Sequence, residues 1–388
     1  MSLRSASLDY IHSLRIAPAH YRMTRALDGS LFTDCFALFA RHLLDDEYDK
    51  DERAELVERL QAAQNPDTGG WQAGAAGSSS YHTPDHVSQQ LTGFALSALA
   101  TLGAPPRYPL RFLDAFADEA AVADYLSRLP WDDNPWHSGN RAMFLGTFLV
   151  FDAQRFGYGG SSGRLEAWFD WHDRHARPGS GFWGARPSAD WYVGMGGASH
   201  QYVIYHFCGR RPPYLERAVE RTLRMQYRDG RFWPVVGGGS CYELDAVEIL
   251  LVGHALLPEW RPQIEAACRR AIPVVLASQN DDGGFCWARR RWLDLPDTIQ
   301  NLLVTGDARA MLWSLRARLN AYVLRHRERR TTQWTNGDHP VSASSLFDTW
   351  FRLLTLAQIA RITGDPRLAA VPWRSLPAPN WGFLGHDQ

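Results

Sequence analysis

Two clusters and one isolated histidine in this 388-residue chain have the types and spacing to move protons. His82, Asp85 and His86 are the densest group. Positions 82, 85 and 86 lie three and four apart, so one helical face can carry all three. Pro84 suits an early helical position. An Asp beside a His orients the ring for proton transfer or raises its pKa into the useful range. The same trio also reads as a polar helix cap with a surface His. Cys241, Asp245 and Glu248 form a second group on a mostly apolar stretch (Ala246, Val247, Ile249, Leu250, Leu251). Acids there are costly to bury unpaired, so they face solvent, a cation or a cavity. Glu243 and Asp245 fall about 200° apart on a helix, so both cannot point inward. Asp245 is favoured, because Asp34, Asp85 and Asp348 hold the matching place elsewhere; all four also read as acids complementing a helix dipole. His200 follows Gly196-Gly197-Ala198-Ser199 and reads either as a proton carrier or as a satisfied structural His. The catalytic candidates are therefore Asp85, Asp245, His82, His86 and His200.

Candidate binding residues surround these. Asn140 and Arg141 precede the apolar Met143-Phe144-Leu145. An Arg there holds a carboxylate or phosphate, or pairs with one of the Asp residues. The chain carries 16 Trp, 14 Tyr and 18 Phe. Indoles fill large volumes and want a partner for their N–H, so they serve as wedges between helices or as cavity walls. Trp136, Trp183, Trp191 and Tyr192 are the wall candidates, with Cys241, Tyr242 and Asp348 beside them. No metal or cofactor is expected. The alternative is a divalent metal such as zinc: His82, His86, His200, Cys241 and Asp245 are suitable ligand types, though they come from separate stretches.

The elements that would position these groups repeat. A Gln, a few polar residues, Gly and an aromatic recur at Gln64–Trp71, Gln226–Trp233 and Gln279–Phe285, and more weakly at Gln333–Gly337. The steps from Gln226 to Gln279 and on to Gln333 are 53 and 54 residues, and Gln64 to Gln226 is 162, three such steps. Two degenerate copies are placed between, at Gly179–Trp183 and Asp132–Trp136. Helical stretches precede the turns, such as Glu52–Leu60 and Ile264–Ile272, the latter kinked or ended by Pro273. Val274–Ala277 is read as a last helical turn beyond that kink. Apolar helices with Ser caps and an early Asp follow, as at Ser30, Ser80, Ser240 and Ser345. Apolar helices suit an inner ring and charged ones an outer ring. No alternating segment is long enough for a sheet. The fold expected is all-α: a single (α/α)6 toroid over residues 30–388, with residues 1–29 packing on it.

Bulk composition narrows the function classes. The formal net charge is -1, which gives no steering toward nucleic acid. Five cysteines, without a CxxC pair, suggest reduced thiols and a cytoplasmic location. No signal peptide or 18-residue apolar run is seen. Peripheral membrane contact through an apolar patch stays open. A small molecule is the expected partner.

The Gln–Gly–aromatic turns resemble the QW repeat of squalene–hopene cyclases and related terpenoid cyclases, whose toroid protein prenyltransferase β subunits share. Ser345-Leu-Phe-Asp348-Thr349 resembles the Ser-x-x-Asp-Thr helix starts of that superfamily. The resemblance spans residues 30 to 363. It implies an enzyme that handles an isoprenoid or other apolar substrate in an aromatic cavity, with acid/base proton transfer from Asp85 or Asp245. Two departures stand out: the Asp-x-Asp-Asp acid of such cyclases is missing, and the Asp, Cys and His order of the prenyltransferase zinc site is not matched. Asp45-Asp46-Glu47-Tyr48-Asp49 has the form of a diphosphate-metal motif, but it reads as an acidic loop entering a helix. The alternative activity is that of a carbohydrate-active (α/α)6 lyase, epimerase or glycosidase, with indoles as sugar platforms. A non-catalytic binding role is the third reading.

Overall fold

The computed structural model describes residues 2–73, 84–155, 162–184, 191–233, 239–289, 312, 329–332, 334–335 and 337–385. Helices dominate them. Five segments are buried nearly all round: α2 (Leu31–Leu43), α6 (Pro135–Val150), α8 (Trp191–Phe207), α10 (Ser240–Leu256) and α12 (Leu346–Thr363). Helix α4 (Pro84–Thr101) joins them. A helix apolar on every side must be surrounded by others. Here α2 packs on α4, α4 on α6, α6 on α8, α8 on α10, α10 on α12, and α12 returns onto α2. These six therefore form a closed cycle of neighbours.

The intervening helices are α3 (Lys50–Ala62), α5 (Glu119–Arg128), α7 (Ser162–His175), α9 (Leu215–Arg224) and α11 (Arg261–Leu276). Most bury one stripe. In α3 only Glu52, Leu56 and Leu60 are buried, and Asp49 caps its start in a capping box. Helix α11 runs on past Pro273 to Leu276, the last helical turn expected there despite its strand-like composition.

The repeat turns join each outer helix to the next inner one by a fixed set of bonds. Gln226 Nε2 donates to Gly230 O and to Ala267 O of α11 (2.9 and 2.8 Å). Gln64 Nε2 does the same to Gly69 O and Tyr108 O (2.7 and 2.8 Å). Gln279 Nε2 donates to Gly283 O (2.9 Å) and to Ser7 Oγ (3.3 Å) of α1 (Leu3–Ser13). Gly283 has φ 87°, and a Cβ there would lie 2.0 Å from Ala6 O. Helix α1 thus sits against the turn at residues 279–285 as α11 sits against the turn at residues 226–233.

The wedges are Trp71, Trp131 and Trp183, whose Nε1 atoms donate to Leu60 O, Leu126 O and His172 O at 2.7–2.8 Å. In the second unit the wedge is Trp131, not Trp136. Of the weaker copy at Gln333–Gly337, only Trp334, Thr335 and Gly337 are among the described residues. Gln333 lies outside the described residues, and Trp334 stacks on Phe347 (4.0 Å) and donates to Gln90 Oε1 (2.8 Å), both on inner helices.

A small antiparallel meander, β1 (Arg15–Ala17), β2 (His20–Thr24) and β3 (Leu27–Gly29), was not anticipated. Its strands are too short to show a period. Asp34, fully buried, ties it to α2 by accepting from Tyr21 N, His20 Nδ1 and Arg59 Nη1 (3.0, 2.9 and 3.1 Å). The acidic loop at 45–49 is also structural: Asp46 and Glu52 flank the buried Arg41 guanidinium. A second short pair joins β4 (Arg329–Arg330) to β5 (His339–Pro340).

Helices α6 and α8 approach so closely that their backbones touch. A Cβ on Gly139 would lie 2.3 Å from Gly197 O, and one on Gly197 2.3 Å from Pro135 O. Gln201 Nε2 seals the crossing by donating to Gly139 O and Gly197 O (3.0 and 3.1 Å). We expect Gly197→Ala to cost about 1–3 kcal/mol through overpacking. Gly93→Ala, whose nearest atom is 3.8 Å away, is neutral or stabilising. Urea unfolding of the two variants separates them.

Candidate functional site

The α6–α8 crossing sets the backbone on which a buried polar group is built. Asp245 on α10 is 2 % exposed. Its Oδ1 accepts from Ser199 Oγ of α8 at 2.7 Å. Its Oδ2 has no hydrogen-bond partner among the described residues. Burial is the largest influence and pushes the carboxyl well above the ordinary range. The Ser199 hydrogen bond opposes this, and the Glu248 charge one turn away adds to it. Asp245 is held toward its protonated form.

His200 lies beside it on α8, 2 % exposed, with Nε2 4.0 Å from Asp245 Oδ1. That separation exceeds a hydrogen bond. Burial pushes the imidazole down to about 3, so it is neutral at physiological pH, and the pair is not an ion pair. The His200 ring lies between two indoles, Trp136 at 6.4 Å and Trp381 at 5.2 Å between centroids. Gly196 makes room for the group. A Cβ there would stand 2.9 Å from Trp136 Cδ1 and 3.1 Å from Asp245 Oδ2, so the two lie within about 6 Å of each other. The free carboxyl oxygen is therefore next to an indole edge. Beyond Trp381, Phe94 and Phe351 continue the aromatic surface at 5.9 and 5.8 Å.

Of the four Asp residues at matching inner-helix starts, the structure separates one. Asp34 is saturated by the meander. Asp348 is fully buried and saturated too: Oδ1 accepts from Ser240 Oγ and Arg330 Nη2 (2.6 and 3.0 Å), and Oδ2 from Ser345 Oγ and Arg330 Nη2 (2.6 and 3.0 Å). It clamps the starts of α10 and α12. Asp85 is exposed on the first turn of α4. Only Asp245 combines burial, a raised pKa and an unpartnered oxygen.

The His82–Asp85–His86 group does not share a face as its spacing suggested. His82 lies outside the described residues. Asp85 faces solvent, while His86 is 1 % exposed and stacks on His137 of α6 (4.7 Å). A helix turns about 100° between neighbours, which sends positions 85 and 86 different ways.

The binding candidates divide similarly. Trp136 borders the Asp245 group. Asn140 donates from Nδ2 to Trp136 O (3.3 Å), a contact within α6. Arg141 lies over Tyr125 of α5 (5.6 Å to the ring) and depresses His137 as a secondary effect to burial. Trp183 is a wedge between helices, 1 % exposed, so it offers no open ring face. Trp191 packs under Arg221 of α9 (4.3 Å). Tyr192 stacks on Tyr227 (6.2 Å) and donates to Met225 O (3.3 Å). Tyr242 stacks on Trp233 (3.8 Å). Cys241 is partly exposed at residue level, and burial of its thiol, followed by the charge of Asp245, pushes the thiol up. For a zinc site, among the described residues no three His, Cys, Asp or Glu side chains come together. A groove lined by Asp229, Arg231, Pro273, Val274, Ala277, Ser278 and Arg289 lies on the outer turns, away from this group.

Sequence reading missed Ser199 as the partner of Asp245, Gly196 as the space-maker, and Trp381. Ser199 immediately precedes His200 and Gly196 lies one turn before it, so both were legible in principle. Trp381 lies beyond the last repeat, where no periodic signal reaches.

His172 shares the depressed state of His200: burial lowers it to about 3, and its Nδ1 faces Trp168 O at 2.7 Å. Both folded pKa values lie below the unfolded one of about 6.5. Between these limits the unfolded chain binds more protons, so stability falls as pH drops. We expect each to contribute about 1.4 kcal/mol per pH unit between roughly pH 6 and 4. Chemical unfolding across that range checks it: His200→Gln should flatten the slope by about one proton.

No family model matches the chain, and no curated protein matches it in sequence. Among solved structures, it is similar to two variants of the type II terpene cyclase MstE from Scytonema. The first, in complex with geranylgeranyl dihydroxybenzoate (substrate), is 16 % identical, with 93 % of this chain and 97 % of that chain covered and a TM-score of 0.49. The second, without ligand, is 15 % identical, with 93 % and 96 % covered and a TM-score of 0.48. Among the described residues no helix is long and apolar enough to cross a membrane.

Proposed function

We propose that the chain is a one-barrel (α/α)6 toroid that isomerises an isoprenoid substrate by proton transfer, as terpenoid cyclases do, with Asp245 as the acid. The observation that carries this reading is the unpartnered, buried Oδ2 of Asp245 beside an aromatic wall. A carboxyl kept protonated in an apolar surrounding still holds a transferable proton at neutral pH, and an alkene is an uncharged proton acceptor compatible with such a site. The proton on Oδ2 goes to one alkene carbon; the π pair forms the new C–H bond and leaves a cation on the other carbon. The faces of Trp136, Trp381, Phe94 and Phe351 then stabilise that cation. Attack by a second double bond closes a ring and moves the charge along the chain. Loss of a proton from carbon to the Asp245 carboxylate ends the reaction and restores the acid. The product is an isomer of the substrate, so the balance needs only side chains.

His200, neutral, positions the site between two indoles without adding a charge that would repel the cation. Of the indoles the carbohydrate-active alternative would use as platforms, Trp71 and Trp183 are each 1 % exposed, while Trp136 and Trp191 are half-buried. Among the described residues the exposed large apolar side chains, Ile16, Tyr214, Leu256 and Leu312, lie on separate segments.

The test is a mass-spectrometric assay of polyprenyl alcohols and their aromatic conjugates in D2O. A product of substrate composition carrying one deuterium at a formerly alkenic carbon is expected. Failure to convert any of them would overturn the reading.

A further inference from the structure

The groove on the outer turns, of about 240 Å³, is built from three parts of the chain. Asp229 and Arg231 come from the turn at residues 226–233. Pro273, Val274 and Ala277 come from the end of α11, and Arg289 from just beyond the turn at residues 279–285. Pro273 and Ala277 are four apart, so they share a helix face, and both are exposed. Their short side chains leave the space between the two turns unfilled.

The charges around this space are fixed in place. Arg289 donates from Nε to Ala277 O and from Nη2 to Gln279 O (2.9 and 2.8 Å), which satisfies carbonyls at the end of α11. Its Nη1 takes part in neither bond. Arg231, 4 % exposed, lies over the Tyr227 ring (4.5 Å) and donates from Nη1 to Asp229 Oδ2 (3.2 Å). Asp229 thus balances Arg231, and Arg289 leaves the lining with one net positive charge.

We propose that this groove is a binding site for a small carboxylate with a compact apolar body, anchored on the Arg289 guanidinium. A guanidinium nitrogen donates well to a carboxylate oxygen, and such charge-assisted bonds are stronger than neutral ones. The apolar body lies on Pro273, Val274 and Ala277. Two backbone bonds already order the Arg289 side chain, so binding loses little of its freedom. An apolar cavity of about 150 Å³ takes benzene, so the groove has room for a six-membered ring with its carboxylate. The site shares no residue with the Asp245 group, and the inference stands apart from the isoprenoid reading.

Ligand-observed NMR titrations of the full chain test this with cyclohexanecarboxylate, its uncharged counterpart cyclohexylmethanol, and acetate. Cyclohexanecarboxylate should bind with a Kd of roughly 0.1–1 mM, and the other two at least about tenfold more weakly. Arg289→Gln should weaken cyclohexanecarboxylate about tenfold. Ala277→Trp, which fills the groove and keeps every charge, should abolish its binding. Acetate binding as tightly would reduce the groove to a surface anion patch, and cyclohexylmethanol binding as tightly would reduce it to a bare apolar hollow. Either result overturns the proposal. So does an unchanged affinity in either variant, or no binding of cyclohexanecarboxylate to wild type. Should Arg289→Gln fail to fold, Ala277→Trp decides alone. None of these outcomes bears on proton transfer from Asp245.

Discussion

Asp245→Asn should lower turnover of an identified substrate by about 10²–10⁴-fold while leaving binding nearly unchanged, because Asn keeps the shape and loses only the transferable proton. Ser199 Oγ can still donate to the amide oxygen in place of Oδ1. The remaining amide group then faces the indole edge where the acid stood. Stability supplies an independent readout. Burial raises the Asp245 pKa in the folded state above its unfolded value. Between those two values the folded chain holds a proton that the unfolded chain has released, so stability falls as pH rises through that window. Asn has no such titration. Asp245→Asn should therefore raise the melting midpoint, and raise it more at pH 8 than at pH 4. A variant that loses stability equally at both pH values, or that retains turnover, would show that Asp245 is neither a buried neutral acid nor the proton source.

The largest structural effect is expected at a wedge. Trp183 is 1 % exposed, its ring lies near Tyr202, Tyr205 and His172 (6.1, 6.2 and 5.4 Å), and its Nε1 donates to His172 O at 2.7 Å. Trp183→Ala removes the ring, opens a cavity between α7 and α8, and strips a buried carbonyl of its donor. Substitutions of this kind cost about 3–5 kcal/mol. Domains commonly hold only about 5–15 kcal/mol in total, so the variant is expected near the edge of folding. Trp183→Phe retains most of the packing and loses the hydrogen bond, which alone is worth about 1 kcal/mol. Urea midpoints for the two variants, at unchanged slope, partition packing from bonding. Had Trp183 been a sugar platform, Trp183→Ala would weaken ligand binding with little effect on stability.

The repeat was legible because its physics is local. A Gln, a Gly with positive φ and an aromatic within eight residues satisfy the end of one helix and start the next, so Gln64, Gln226 and Gln279 could be recognised without the rest of the molecule. The weaker copy at Gln333 falls partly outside the described residues. There the step length agrees, and the aromatic, Trp334, stacks on Phe347 and donates to Gln90 of the inner helices. Trp136 was credited with a place in the repeat that Trp131 holds, since an indole five residues away can reach the same kind of carbonyl. The meander at residues 15–29 left no trace because strands of three to five residues are shorter than any usable period.

By itself, then, the amino-acid sequence determined the helical class, the pairing of charged with apolar helices, and a short roster of acids at equivalent places in the repeats. Which of those acids remains unsaturated was decided only by tertiary structure. Asp34 and Asp348 meet arginines brought from 25 and 18 residues away, Asp85 turns to water, and Asp245 meets a serine 46 residues away while its Oδ2 has no hydrogen-bond partner among the described residues. Periodicity records what a residue does for its own helix; desolvation and hydrogen-bond saturation depend on what the other helices bring to it, and no local pattern encodes that.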